Sequence, residues 1–169
     1  NIVLTVKTIA KQEVNISSEE DDSSGGRIIA SPKTPKTIIN ISGNVVVTEA
    51  TAEATIDSRG KATAAFSQAQ VNDAIDKAMK EAEKLGEGTK SNVVLKVEAP
   101  ANVTTVQTSI PKEAVIKASK SGISSLTIST PIGDITFDSN ALSTISKEAA
   151  GDIKSTISRV ETSSLSPEA

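Results

Sequence analysis

The sequence contains no cysteine, histidine, tryptophan or tyrosine, and its only aromatic residues are Phe66 and Phe137. Without cysteine, disulfides, thiolate nucleophiles and zinc-thiolate sites are excluded. Without histidine, the chain lacks the side chain that titrates near neutral pH and is the commonest transition-metal ligand. Ser-His-Asp, Cys-His, zinc-hydrolase and histidine-based phosphotransfer mechanisms are therefore excluded together. We expect no cofactor, no metal and no enzymatic activity.

The scarcity of aromatic residues also determines the composition of the core. The chain has 169 residues, of which 37% are apolar and 1% aromatic. This length fits one domain with one core. Aliphatic side chains have to fill that core, and their burial stabilises a fold by roughly 25 cal/mol per Å². Folding should therefore require neither a metal nor a disulfide.

No excess of positive charge and no long apolar run is present. The chain carries 18 Lys and Arg against 21 Asp and Glu, a net charge of -3. Its basic residues are spread along the sequence, whereas nucleic-acid binding needs a concentrated basic patch and usually aromatic stacking platforms. No apolar run approaches the ~20 residues that span a bilayer. We expect neither a nucleic-acid partner nor membrane insertion.

The first 44 residues are predicted to lie outside the main domain. Residues 1–17 carry β-branched side chains in near alternation, which predicts an N-terminal strand segment. Residues 18–44 contain an acidic run, consecutive glycines, and Pro32 and Pro35, which bias their predecessors away from helix. This composition predicts a flexible connector. Residues 45–169 are then predicted to form an α+β module.

Two local patterns open this module. The run from Val45 predicts a β-hairpin that turns at residues 57–60, where Gly60 occupies a position that favours a positive φ. An apolar stripe at three- and four-residue spacing then predicts a helix from Gln68 to Leu85. Ser67 with Gln70 has the form of a capping box, and Gly86 supplies the stop. Two i,i+4 pairs are expected on its outer face: Asp73 with Lys77, and Asp76 with Lys80.

The order strand, helix, glycine, strand occurs three times, with helices that begin near Gln68, Pro111 and Ser139. Pro111 suits the first turn of the second helix, and Asp138 and Ser139 are both candidate caps for the third. The second and third helices are short and would be marginal in isolation, so they have to pack on a sheet. The pattern predicts an α+β fold in which a β-sheet is covered on at least one face by three amphipathic helices.

The repeated segments also resemble a known family. The run from about Val45 to Ala169, most distinctively LTISTPIGDITFDSNAL at Leu126–Leu142, resembles an extracellular module of Firmicutes surface proteins that carry surface-layer homology domains. The resemblance rests on framework residues, so it implies location and architecture rather than activity. It implies an extracellular location at the cell surface. In that family strand-rich sequence continues further, so we expect an open sheet edge that pairs with a missing C-terminal part or with a neighbouring chain.

Acidic residues supply two candidate sites. Glu19, Glu20, Asp21 and Asp22 offer oxygen ligands for calcium, but consecutive acids point in different directions, and a solvated linker is favoured. Paired carboxylates for glycoside hydrolysis would require two carboxyl groups beside a sugar-binding cleft. A solvent-exposed hairpin face is favoured there too, because aromatic platforms for a sugar are missing. The carboxylates considered are Glu49, Glu53, Asp57, Glu98, Asp134 and Asp138.

Hydroxyl and amide residues supply the remaining candidates. A lysine-assisted serine nucleophile would have to come from Ser119-Lys120-Ser121 or Ser146-Lys147, and a chance match is favoured because Ser is abundant throughout. Three Asn-x-Ser/Thr triplets match the glycosylation acceptor pattern, again with chance favoured. Their asparagines are Asn15, Asn40 and Asn102. No phosphate-binding glycine loop occurs.

The sequence therefore favours a non-catalytic structural, spacer or interaction module of a bacterial cell-surface protein, with protein or cell-wall polysaccharide contacts. The alternative is a carbohydrate-binding module that assists an attached polysaccharide-degrading enzyme. Exposed Trp and Tyr platforms would favour that alternative, and the chain has neither. A sugar site here would have to use hydrogen bonds from Asn, Asp, Ser and Thr alone, which predicts weak binding.

Overall fold

A computed structural model describes residues 36–160 of the chain. Within this range four strands precede the first helix, two strands separate successive helices, and one strand follows the third helix. The strands are β1 (Thr37–Ser42), β2 (Val45–Glu53), β3 (Thr55–Ile56), β4 (Lys61–Ala65), β5 (Lys90–Glu98), β6 (Thr105–Ile110), β7 (Ser125–Thr130), β8 (Gly133–Asp138) and β9 (Ile153–Ser158). The helices are α1 (Gln68–Leu85), α2 (Lys112–Ser121) and α3 (Ser139–Glu148). The predicted α+β fold class is confirmed.

The strands form two mixed sheets rather than the one sheet expected. Sheet A has the order β1-β2-β5-β7-β8, and its central strands β2, β5 and β7 are parallel, with antiparallel β1 and β8 at the edges. Sheet B has the order β3-β4-β6-β9, with a parallel β4–β6 pair and antiparallel outer strands. Parallel pairs require a crossover connection, and here helices α1 and α2 supply it.

Each predicted repeat is one crossover between the two sheets. The chain passes from β4 in sheet B through α1 to β5 in sheet A, and from β6 in sheet B through α2 to β7 in sheet A. The third unit runs in the other direction, from β8 in sheet A through α3 to β9 in sheet B. The prediction that three helices pack on sheets formed by the intervening strands is therefore confirmed.

The helix ends follow from local sequence. Ser67 and Gln70 form both hydrogen bonds of the capping box, and α1 ends at Gly86 as predicted. Asp138 is the cap of α3, because its side chain accepts from the Ala141 N–H at 2.8 Å, while Ser139 is the first helical residue. Pro111 precedes α2 at the cap position, one residue before the predicted place in the first turn.

The core is aliphatic and continuous. Side chains from both sheets and all three helices belong to one buried cluster, in which Phe66 is the only fully buried aromatic residue of the described range. Helix α1 lies against β1, β2 and β5, α2 contacts α1, and α3 contacts α2 and β8. Thr48 on β2 faces α1, where its hydroxyl donates to the Ala74 carbonyl at 2.8 Å. The helices therefore cover one face of sheet A.

Three sequence predictions are corrected by the fold. Residues 37–42 form the edge strand β1 instead of belonging to the predicted connector 18–44, because Ile41 and its neighbours pair along β2. The predicted hairpin from Val45 is wrong for most of its length: β2 belongs to sheet A, and only β3 pairs with β4 around the turn. Asp76 pairs with Lys117 of α2 at 2.6 Å rather than with Lys80.

Two further predictions are confirmed, and others concern residues outside the described range. Gly60 has φ of 76° in the predicted turn, and Lys77 pairs with Asp73 at 2.8 Å. The predicted N-terminal strand segment 1–17, the connector up to residue 35 and the last nine residues lie outside the described residues.

Candidate functional site

The face of sheet A opposite the helices carries an ordered array of polar side chains. Side chains alternate between the faces of a strand, so the residues between the buried positions of each strand point away from α1. We call this surface the outer face. The strand register arranges it in three rows: Asn40, Val47, Asn92, Ser125 and Asp138; Ile38, Glu49, Val94, Thr127 and Thr136; and Thr51, Lys96, Ser129 and Asp134. Adjacent strands lie about 4.8 Å apart, so a five-strand row spans about 19 Å.

Cross-strand hydrogen bonds hold parts of these rows in place. The Ser125 hydroxyl donates to the Asn92 side-chain oxygen at 3.0 Å. The hydroxyls of Thr127 and Thr136 lie 2.9 Å apart in the next row. Such pairs contribute roughly 0.2–1 kcal/mol each and fix the side-chain rotamers of exposed residues. These bonds order hydroxyl and amide groups on β5, β7 and β8, whereas Ile38, Val47 and Val94 are apolar positions of the same face.

A depression of about 520 Å³ lies at the end of the outer face where β2 and β5 terminate. Its charged lining consists of Lys36, Glu49, Glu53, Lys96 and Glu98. A second depression of about 270 Å³ shares two of these residues and extends toward the end of β7. The two hollows continue the polar surface past the ends of the parallel strands, where open α/β sheets commonly bind ligands.

The structure brings three of the six predicted carboxylates together in this depression. Glu49 and Glu53 lie on β2 and share the outer face, as the alternation predicts. Glu98 is the direct cross-strand neighbour of Glu53 in the parallel β2–β5 pair. The Lys96 ammonium lies 3.5 Å from a Glu49 carboxylate oxygen. Glu49 therefore belongs to a surface ion pair, which contributes about 0–1 kcal/mol.

The other three carboxylates accept hydrogen bonds from the backbone. Asp57 accepts from the N–H groups of Lys61 at 3.0 Å and Arg59 at 2.9 Å, and these bonds hold the pKa of its carboxyl below the ordinary value. Asp134 accepts from the Thr130 N–H at 3.3 Å, and Asp138 caps α3. These three residues organise two turns and a helix start, and none lines either depression.

The serine and lysine candidates also have structural partners. Ser121 donates to the Lys117 carbonyl at 2.8 Å, and Ser146 donates to the Ser143 carbonyl at 2.8 Å. The hydroxyls of Ser119 and Ser146 lie 3.5 Å apart between α2 and α3. The exposed Lys120 and Lys147 side chains form no hydrogen bond with these hydroxyls. These serines therefore make contacts within helices α2 and α3 and between them.

The remaining candidates, which are the three asparagines and the acidic run, do not form a common site among the described residues. Asn40 is exposed on β1 and Asn102 is exposed between β5 and β6, whereas Asn15 lies outside the described residues. The acidic run Glu19–Asp22 also lies outside them, so its calcium binding stays a hypothesis. Across residues 36–160, no group of three or more Asp and Glu side chains is arranged to hold a metal ion. None of the helices in the same range is long and apolar enough to cross a membrane.

Comparisons of the chain with protein-family models, with curated proteins and with solved structures give no match. The resemblance to the surface-layer-associated module therefore stays a hypothesis. Its most distinctive stretch, Leu126–Leu142, corresponds to most of β7, all of β8 and the capped start of α3. These are framework elements at one edge of sheet A.

Sequence reasoning did not identify the rows of the outer face. Period-two alternation marks Asn92, Ser125 and Thr127 as facing away from the apolar positions of their strands. The order of the strands, which joins these residues into rows, depends on crossovers between distant segments. Only the pairing of β2, β5 and β7 shows which of the outward-facing residues are neighbours.

Proposed function

We propose that this chain is a non-catalytic structural and interaction module of a bacterial cell-surface protein, which holds its shape and presents the outer face to a partner at the cell surface. The observation that carries the proposal is the largely polar outer face, in which cross-strand bonds order Asn92, Ser125, Thr127 and Thr136 over one aliphatic core. The framework resemblance of Leu126–Leu142 supports the extracellular location.

The roles of the carboxylates support the non-catalytic part of the proposal. Asp57, Asp134 and Asp138 stabilise turns and a helix start, and Glu49 pairs with Lys96. Catalytic carboxylates in glycoside hydrolases act as a pair on either side of one scissile bond. Four of the six candidate carboxylates thus have local structural contacts, while Glu53 and Glu98 are cross-strand neighbours in the depression.

Cosedimentation of the full chain with isolated Gram-positive cell walls tests the proposal. Thr127→Lys places a long charged side chain in the centre of the outer face, and Thr156→Lys makes the same change on the exposed face of sheet B. We expect Thr127→Lys to reduce the bound fraction at least tenfold, about 1.4 kcal/mol, and Thr156→Lys to bind like the wild type. Equal binding by the two variants, or no binding by the wild type, would contradict the proposal.

A carbohydrate-binding module is the second candidate, and one row of the outer face favours it. In this row Asn40, Asn92 and Ser125 present amide and hydroxyl groups, with the apolar Val47 between the two asparagines and the capping residue Asp138 at the end. Such groups hydrogen-bond sugar hydroxyls without stacking, which predicts dissociation constants of about 1 mM. Binding that survives protease treatment of the walls, and that soluble wall polysaccharide competes away, would favour this candidate over a protein partner.

A further inference from the structure

The edge strand β1 is apolar and exposed. Ile38, Ile39 and Ile41 are three of the six large hydrophobic residues exposed in the described range, and Ile41 is 50% exposed. Residues Thr37–Ser42 include no charged side chain. In the described structure β1 pairs with β2 alone, so its other side presents unpaired backbone N–H and C=O groups. An exposed, uncharged, β-branched edge is a template for pairing with another strand.

The other sheet edges are protected against such pairing. Strand β8 carries Asp134 and Asp138. Strand β9 carries Lys154, and β3 has only two residues. Charged side chains, coverage by a helix and short length are the devices by which proteins block edge pairing. Strand β1 has none of the three along its free side, although α1 packs against one face of it.

We propose that β1 is a homodimerisation edge, at which a second copy of this chain pairs antiparallel with β1 about a twofold axis at Asn40. The sequence TIINIS is self-complementary in this register. The pairing places Ile39 of each copy opposite Ile41 of the other on the helix side of the joined sheet, and the two Asn40 side chains opposite each other on the outer face. Cross-strand pairs of β-branched residues stabilise antiparallel sheets, and facing amides hydrogen-bond reciprocally.

This register also keeps the two copies in one continuous sheet. A twofold axis perpendicular to the sheet requires paired residues to point to the same face, and residues 39 and 41 do so, as do 38 and 42. Moving the axis by one residue to Ile39 leaves one apolar pair on the helix side instead of two. The uncharged strand adds no repulsion between copies, which have a net charge of -3 each.

The pairing concerns the edge of sheet A, and it holds whether or not the outer face contacts a cell-surface partner. One short ladder buries much less than the ~1,600 Å² of a standard interface. The dimer is therefore weak, with a dissociation constant of about 0.1–1 mM in solution. Joining the copies extends sheet A from five strands to ten and makes the two outer faces contiguous.

Disulfide trapping tests the register directly, because the chain has no cysteine of its own. In Asn40→Cys, the two introduced thiols face each other across the twofold axis, at a Cβ separation close to that of a disulfide. The matched control is Thr136→Cys, at an exposed outer-face position of the opposite edge strand. On mild oxidation of the full chain, we expect at least fivefold more covalent dimer from Asn40→Cys than from Thr136→Cys.

Sedimentation equilibrium supplies the second measurement. We expect the wild type to self-associate between about 10 µM and 1 mM. Ile41→Lys should abolish this association, whereas Ile56→Lys, at a 47% exposed position on the short edge strand β3, should leave it intact. Circular dichroism and melting curves check that both variants fold.

Three results would overturn the proposal: equal trapping of the two cysteine variants, association that survives Ile41→Lys, or a wild type that stays monomeric at about 1 mM. Slow hydrogen exchange of the free β1 amides at about 10 µM would also overturn it, because the edge would then be covered within one chain.

Discussion

Two buried threonines differ in whether their hydroxyl group has a hydrogen-bond partner. Thr48 and Thr108 both lie on the inner faces of their sheets, 0% and 2% exposed. The Thr48 hydroxyl donates to the Ala74 carbonyl, whereas the Thr108 hydroxyl has no hydrogen-bond partner among the described residues. A buried polar group without a partner lowers stability, because its hydration is lost without replacement.

We predict that Thr108→Val raises the free energy of unfolding by about 1 kcal/mol, since valine keeps the shape and removes the unpaired hydroxyl. Thr48→Val, the matched control, should lower the free energy of unfolding by about 1 kcal/mol through loss of the bond to Ala74. Urea unfolding of the full chain measures both changes. A loss of stability in Thr108→Val as large as that in Thr48→Val would mean that the Thr108 hydroxyl is satisfied.

Among the elements, prediction from sequence succeeded where the determining contacts are local. The bounds of α1 are given by Ser67, Gln70 and Gly86, all within one turn of its ends. The strands were misassigned where the contacts are distant. Val45 pairs with Lys90 in parallel, and no property of the nearby residues distinguishes this partner from the turn-connected strand β4. Strand β1 was missed because Pro32 and Pro35 dominate the local pattern, while β2 supplies its pairing.

For the candidate site too, the sequence predicts the positions that local alternation determines and not those that depend on distant strand pairing. Alternation along β2 placed Glu49 and Glu53 on one face, as the structure confirms. The addition of Glu98 depends on the parallel β2–β5 register, which sequence spacing does not specify. Asp57 was grouped with these carboxylates by residue type, although its side chain belongs to its own turn.

The N-cap of helix α3 can be tested by substitution, because the sequence left Asp138 and Ser139 as two candidate caps. Asp138 accepts from the Ala141 N–H in the structure. We predict that Asp138→Ala lowers the free energy of unfolding by about 1 kcal/mol, whereas Ser139→Ala changes it by less than about 0.5 kcal/mol. Thermal unfolding of the two variants compares them. A larger loss in Ser139→Ala would reverse the assignment of the cap.

At the scale of the whole molecule, three crossovers join two sheets around one core that contains a single buried aromatic residue. Within residues 36–160, the helices pack on one face of sheet A and not on the outer face. The division explains why Thr is frequent in the strands: on an outer face it keeps strand propensity and remains hydrated. A sheet with one face covered by helices and one largely polar face suits the proposed contact function.

The most direct test of the proposed function is to map the contact surface by NMR. The full chain, labelled with nitrogen-15, is titrated with solubilised cell-wall fragments while the amide signals are followed. We predict that the largest shifts occur at Asn92, Ser125 and Thr127, that α1 and α2 shift little, and that the fragments are recovered unchanged. Shifts concentrated on the helices, no shifts at saturating fragment, or cleavage of the fragments would contradict the account.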